Sequence, residues 1–193
     1  MKYDYLQSNN KRQGFTLVEL MITIAIGATL MAIALPNFNS FLVETRVDNE
    51  ISHLQRLLLT ARNTAINAEQ SVTLCPLNAS NSCDTNWQNE VSVFIDIDGD
   101  KTYEPATDER IVAVKAKIKT NDKLQYGQDS IIYRPTGNIT GGVSASPFKY
   151  CPKDYPAKSR GITVTTSGRS YVTSDTDSDG IDEDRSGNEI TCS

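Results

Sequence analysis

Residues 11–35 read KRQGFTLVELMITIAIGATLMAIAL. A short basic peptide ends in Gly14, and an uninterrupted apolar run begins at once with Phe15. The run from Phe15 to Leu35 spans 21 residues and holds one charged side chain, Glu19. At about 1.5 Å of rise per residue, a helix of that length matches the roughly 30 Å hydrocarbon core of a bilayer. An ordinary secretory signal has a shorter apolar core, about 7–15 residues, with its small-residue cleavage site behind it. Here the candidate site, between Gly14 and Phe15, lies in front of the run. Lys2, Lys11 and Arg12 outweigh Asp4 in the leader, so that end stays cytoplasmic and the long remainder is exported. A lone carboxylate at the centre of a membrane helix costs about 2.5–3.5 kcal/mol. Glu19 therefore needs a partner charge, and the simplest source is another protein chain.

The string Gly14-Phe15-Thr16-Leu17-Val18-Glu19 behind a basic leader resembles the class III signal of type IV pilins and type II secretion pseudopilins. The resemblance implies that a prepilin peptidase cuts after Gly14 and N-methylates Phe15. It also implies that Glu19 pairs with the N-terminal amine of a neighbouring subunit in the filament. One amine and one carboxylate can neutralise each other inside an apolar helix bundle. Pro36, just past the apolar run, stands where pilin helices commonly kink.

The whole chain carries 19 basic and 24 acidic residues, a net charge of −5. Removal of the leader, at +2, leaves −7, and the last twenty residues alone hold −6. The body between is near neutral, which argues against general nucleic-acid binding. Four cysteines, Cys75, Cys83, Cys151 and Cys192, all fall in the exported part. An even count in an oxidising compartment reads as two disulfides. Of the three pairings, the favoured one joins Cys75 to Cys83 across a short loop and Cys151 to Cys192 at the tail. No CxxC occurs, and the single His53 is remote, so zinc is disfavoured.

Past Pro36 the pattern stays helical. Ile51, Leu54, Leu57, Leu58, Ala61 and Ala65 recur at three- and four-residue steps between Arg56, Arg62 and Asn63. One helix is expected from Phe15 to Ala68, with its second half carrying an apolar stripe for packing on a sheet. His53 reads as a boundary residue of that helix. From Ser71 the texture turns to β, with strands expected at Ser71–Cys75, Glu90–Asp96, Arg110–Lys117, Lys123–Tyr126, Ser130–Arg134, Pro147–Tyr150, Gly161–Thr166 and Arg169–Thr173. Turn residues such as Asp98-Gly99-Asp100, Pro135-Thr136-Gly137-Asn138 and Ser167-Gly168 separate them. Roughly 120 residues of this kind can bury one core, with Trp87 and Phe94 in it. The expected fold is α+β and pilin-like: a long N-terminal helix, its first half transmembrane, packed on an antiparallel β-rich C-terminal domain. The expected organisation is leader 1–14, transmembrane and filament-core helix 15–36, amphipathic continuation 37–70, and globular domain 71–193 with an acidic tail.

The later sequence resembles one branch of the pilin superfamily. Phe94-Ile95-Asp96-Ile97-Asp98-Gly99-Asp100, followed by Glu109-Arg110-Ile111-Val112, is similar to the acidic hairpin of the GspH/FimT group, which spans H-type pseudopilins and the FimT and FimU minor pilins. Ile131 to Gly137, Gly161 to Val164 and Ser167-Gly168-Arg169 are similar to its final strands. The resemblance implies a structural protein anchored in the bacterial inner membrane with its globular domain periplasmic. After assembly it would stand in a surface pilus or a periplasmic pseudopilus. Its implied partners are prepilin peptidase, a major pilin and other minor pilins or pseudopilins.

Three sites remain to be weighed. The tail segment DTDSDGIDED, Asp175 to Asp184, resembles a calcium loop: Asp175, Asp177 and Asp179 alternate, and Gly180 sits where a sharp turn is needed. The position at which an EF-hand closes with a bidentate Glu holds Ser186, so a solvated acidic tail is the competing reading. Asp96, Asp98 and Asp100 read first as a plain β-turn. Arg169 stands in Gly168-Arg169-Ser170-Tyr171, where DNA-binding members of the FimT branch carry Gly-Arg-x-Arg. Paired arginines suit phosphates, but here a tyrosine replaces the second and an acidic tail follows. A DNA-receptor role is therefore kept as an alternative and not favoured. Lys149, Lys153, Lys158 and Arg160 are the remaining candidates for a basic patch. No HExxH, GxSxG or phosphate-binding glycine loop occurs, so no enzymatic role and no cofactor beyond calcium is expected. The expected function is that of a minor pilin at or near a pilus tip, priming assembly. An H-type pseudopilin of type II secretion is the main alternative.

Overall fold

The structure, a computed structural model, describes residues 14–118, 121–140 and 147–192, without the side chains of residues 34–37. The leader residues 1–13 and the side chain of Pro36 thus lie outside the described residues.

A single helix, α1, spans Leu17–Ala68, 52 residues. It begins two residues later than the apolar run because Thr16 caps it. The Glu19 amide donates to the Thr16 hydroxyl at 3.2 Å, while Glu19 Oε2 accepts from the Thr16 amide at 3.4 Å. This is the reciprocal Thr-x-x-Glu capping box, which satisfies otherwise orphaned amides of the first turn. Taken as the segments Leu17–Ile33 and Phe38–Ala68, no single helix is long and apolar enough to cross a membrane. The two segments meet that length and composition only together.

The chain divides into two units, residues 1–41 and 42–193. In the second, nine strands among the described residues form two antiparallel sheets. Five strands, β1 (Val72–Pro76), β2 (Val91–Ile95), β3 (Ile111–Lys115), β5 (Ile131–Tyr133) and β6 (Ile139–Thr140), build a sheet in the order β3-β2-β1-β5-β6. The other four, β4 (Lys123–Gln125), β7 (Phe148–Cys151), β8 (Arg160–Val164) and β9 (Ser170–Val172), build one in the order β4-β7-β8-β9. The eight expected strands are present, five within their expected bounds and three, β1, β7 and β8, extended by one residue at one end. Strand β6 was not foreseen: its two residues follow the tight Arg134–Asn138 turn and are too few to show alternation.

Val43, Val47, Ile51, Leu54, Leu57, Leu58, Ala61 and Ala65 form the buried stripe of α1. Their three- and four-residue spacing puts them on one helix face. They share one core with Val72, Leu74, Val91, Val93, Ile95, Ile131 and Tyr133 of the first sheet, and with Leu124, Phe148, Tyr150, Ile162 and Val164 of the second. Trp87 closes this core: its ring meets Tyr126 and Phe148 edge-on, and its Nε1 donates to the Gln128 carbonyl at 2.8 Å. Phe94 is buried too, with its ring edge-on to Tyr103. Strands β1 and β2 are buried at every position, as expected of central strands covered on both faces.

Two disulfides tie the loops. Cys75 joins Cys83, and Cys151 joins Cys192. The second closes a separation of 41 residues and fastens the C-terminus to β7. Closing a loop of that length removes conformational freedom from the unfolded chain, for a stabilisation of about 3–4 kcal/mol in the chain-entropy account.

Candidate functional site

The N-terminal part of α1 presents an apolar surface. Leu17, Val18, Leu20, Met21, Ile22, Ile24, Ile26, Leu30, Met31 and Ile33 are all exposed in the isolated chain. Its polar side chains are turned onto the helix itself. The Thr23 hydroxyl donates to the Leu20 carbonyl and the Thr29 hydroxyl to the Ile26 carbonyl, both at 2.8 Å. That internal satisfaction suits a hydrocarbon or helix-bundle environment, where no water is present to hydrogen-bond. Glu19 lies in the first turn and is exposed. Its bonds to Thr16 are long, so they leave the carboxylate available for a stronger charged donor. Gly14 and Phe15 precede the helix and are exposed, Phe15 by 89 %.

Several charges of the second unit are paired within it. Asp122, 1 % exposed, forms an ion pair with Arg46 of α1 at 2.9 Å. It also accepts from the Tyr150 hydroxyl at 2.7 Å and the Lys153 amide at 2.8 Å. Lys115 pairs with Glu50 at 2.6 Å, and Lys158 with Glu44 at 3.2 Å. Arg160 pairs with Asp48 and reaches Asp182 at 3.5 Å. Lys149 donates to the Thr191 carbonyl at 3.1 Å. Burial pushes the Asp129 carboxyl up, but hydrogen bonds from Lys101 and Ser130 and the Lys101 charge hold it below the usual carboxylate range. His53 is half-buried beside Glu50 and Lys115.

Two acidic loops converge. In the β2–β3 hairpin, Asp96, Asp98 and Glu109 each offer an oxygen within 4.8 Å of the others. Asp100 is outside that group and accepts from the Thr102 amide. Asp96 accepts from the Thr73 hydroxyl and the Gly99 and Lys101 amides. Glu109 accepts from the Ile97 and Glu104 amides. The hairpin carboxylates are therefore bonded by their own loop, as turn-building groups.

The tail is a second such loop, packed onto the domain. Asp182, Glu183 and Ile190 are buried, and residues Ser174 and Glu183 pair as an isolated antiparallel bridge. Asp175, Asp177, Asp179 and Glu183 bring one carboxylate oxygen each within 4.8 Å of one another. Glu183 was missed in the sequence because the EF-hand template places its closing ligand at Ser186. Desolvation raises the Asp184 carboxyl, but bonds from Asn188 and the Ser186 amide hold it below the usual range, and it closes the following turn instead.

The family described as Type II transport protein GspH matches residues 50–168. The chain belongs to the GspH family. The prokaryotic N-terminal methylation motif matches residues 9–35. A fimbrial protein of Pseudomonas aeruginosa is 34 % identical over 61 residues, covering 32 % of this chain and 40 % of its own length. The type IV major pilin protein PilA of Myxococcus xanthus is 28 % identical over 130 residues, covering 66 % of this chain and 57 % of its own. The chain thus spans about half the length of these relatives. The crystal structure of the type IV minor pilin FimU of Pseudomonas aeruginosa shares the fold, with a TM-score of 0.51 at 13 % identity over 67 % of this chain and 90 % of that one. Proteins of this family are in general structural.

Within this GspH-family chain, the region matched to the family ends at Gly168. Gly168 has φ +74, and a Cβ there would fall 2.0 Å from the Gly137 carbonyl oxygen. Close approach of two turns thus accounts for the glycine of the Gly168-Arg169 pair. Arg169 itself is exposed. Of the candidates for a basic patch, Lys149, Lys158 and Arg160 are committed to internal partners, and Tyr171 lies under the Arg185 guanidinium at 3.5 Å.

Proposed function

We propose that this chain is a minor pilin of a type IV pilus, incorporated at or near the tip, where it primes assembly. Prepilin peptidase removes residues 1–14 and methylates Phe15. The protein waits in the inner membrane with its globular domain in the periplasm. The apolar face from Leu17 to Ile33 then packs among helices of the major pilin and other minor pilins, and Glu19 meets a neighbour's N-terminal amine. The observation that carries this reading is the contrast in satisfaction. The N-terminal helix exposes a continuous apolar surface with one carboxylate, whereas the cationic groups around the globular unit's helix face are paired within the chain.

The second reading is an H-type minor pseudopilin of type II secretion, favoured by the description of the matching family. It uses the same helix and the same Glu19. A tip DNA receptor through Arg169 is less supported, since the neighbouring cations are engaged. The discriminating experiment is an in-frame deletion, with sheared surface pili and secreted enzymes measured side by side and both complemented. Loss of pili with intact secretion supports the pilus role. The reverse supports the pseudopilin, and no change in either contradicts both.

A further inference from the structure

We propose that the C-terminal loop is a calcium site, with Asp175, Asp177, Asp179 and Glu183 as its side-chain ligands. The converging oxygens alone would describe any acidic turn. What separates this loop is Glu183. Its side chain is carried inward by the Ser174–Glu183 bridge, and the residue is only 6 % exposed. Oε2 accepts from the Thr176 amide at 2.7 Å and the Thr176 hydroxyl at 2.6 Å. Oε1 is buried and has no hydrogen-bond donor. A buried carboxylate oxygen without a donor is costly, and the Asp175, Asp177 and Asp179 carboxylates converge with the Glu183 carboxylate. A cation at the meeting point supplies the missing partner and neutralises the repulsion.

The donor set selects the ion. Four carboxylates with no sulfur or imidazole suit a hard cation. The loop follows the spacing of calcium loops, with Gly180 at the sharp turn, φ +92, and the Ile181 carbonyl at the place that supplies a main-chain oxygen. Calcium accepts an irregular shell of six to eight oxygens, whereas magnesium needs a near-ideal octahedron. Because Ser186 replaces the closing bidentate Glu, the affinity should fall in the weak range of extracellular modules, about 10⁻⁴–10⁻³ M. The site lies beyond the family-matched residues 50–168. It also has a structural consequence: Asp182, between the ligands, accepts from Thr173 at 2.9 Å and faces Arg160, which pairs with Asp48 of α1. Calcium would thus brace the tail against the helix through Arg160.

The test uses the full chain in detergent micelles, titrated with calcium chloride by calorimetry and melted with and without about 10 mM calcium. Controls contain magnesium or sodium chloride at equal ionic strength. The expected result is one saturable site and a rise in Tm of about 3–8 °C with calcium. Asp177→Asn, an exposed change that leaves the Thr176–Glu183 bonds in place, should weaken binding at least about tenfold. Asp98→Asn in the hairpin should leave the calcium response unchanged. No heat and no shift in the wild type would overturn the proposal. So would an equal shift with magnesium or sodium, or full calcium binding by Asp177→Asn that folds normally.

Discussion

Along residues 17–33, α1 leaves nearly every large apolar side chain exposed, with Leu30 at 64 %. Along residues 43–65 most side chains of the same kind disappear into the core, with Leu58 at 1 %, and Leu59 stays outside it. The two stretches do not differ in helix-forming ability. They differ in where their partners come from. The second stretch alternates apolar and charged positions, and both classes are matched inside the chain: the stripe by two sheets, Arg46 by Asp122, Glu50 by Lys115, Asp48 by Arg160. The first stretch is apolar all round, so no single face could be covered by one domain. A surface of that kind is complete only in lipid or in an assembly of helices.

The largest effect should come from the one charge on the unmatched stretch. Glu19→Ala should be processed and retained in the membrane, yet reach sheared filaments at a level reduced at least about tenfold, because an unpaired amine in a helix bundle is strongly disfavoured. Immunoblots of the membrane and filament fractions would check this, and equal incorporation would break the contrast. Next come the two leucines. Leu58→Ala should destabilise the globular unit by about 2–5 kcal/mol through a core cavity, whereas Leu30→Ala should change its unfolding by less than about 0.5 kcal/mol. Thermal melts of both variants in detergent decide it. Arg46→Gln removes the charged partner of the buried Asp122, which keeps its bonds from Tyr150 and Lys153, and should cost about 3 kcal/mol by the same measurement.

The smallest effect concerns pH. Asp129 is held below its ordinary range by Lys101 and Ser130. Its contribution is therefore present above the unfolded-state pKa, near 3.9, and is lost as pH falls through the lower folded value. Because both side chains of the pair are more than one third exposed, solvent screening limits that contribution to less than about 1 kcal/mol. Asp129→Asn should thus lower Tm slightly at neutral pH and converge with the wild type in strong acid, as melts across that range would show.

Much of the fold was legible because it rests on local signals. The apolar run, the stripe from Ile51 to Ala65 and the alternating strands each follow from a period of 3.6 or 2. The helix start was expected at Phe15 and lies at Leu17; the signal that sets it, Thr16-x-x-Glu19, is in the sequence, but the charge on Glu19 pointed to a partner and not to a cap. Strand β6 was not, because two residues carry no period. The tail was legible in part: the sequence offered a calcium loop or a solvated acidic segment and a Cys151–Cys192 tie, but not the burial of Asp182 and Glu183 that accompanies Ile190. Glu183 joins the three aspartates through an antiparallel bridge with Ser174, a long-range pairing that linear spacing does not encode. The fate of the basic residues was hidden for the same reason. Lys158 and Arg160 read as surface charges in sequence, but their partners Glu44 and Asp48 lie more than a hundred residues earlier.

The central claim is that this chain leaves the membrane to become part of a filament. Mass spectrometry of sheared surface pili from the wild-type strain tests it most directly. The account predicts a small, constant proportion of this chain among the pilus subunits, with its N-terminal peptide beginning at methylated Phe15. Pili free of the chain, with the processed protein retained in the inner membrane, would contradict it.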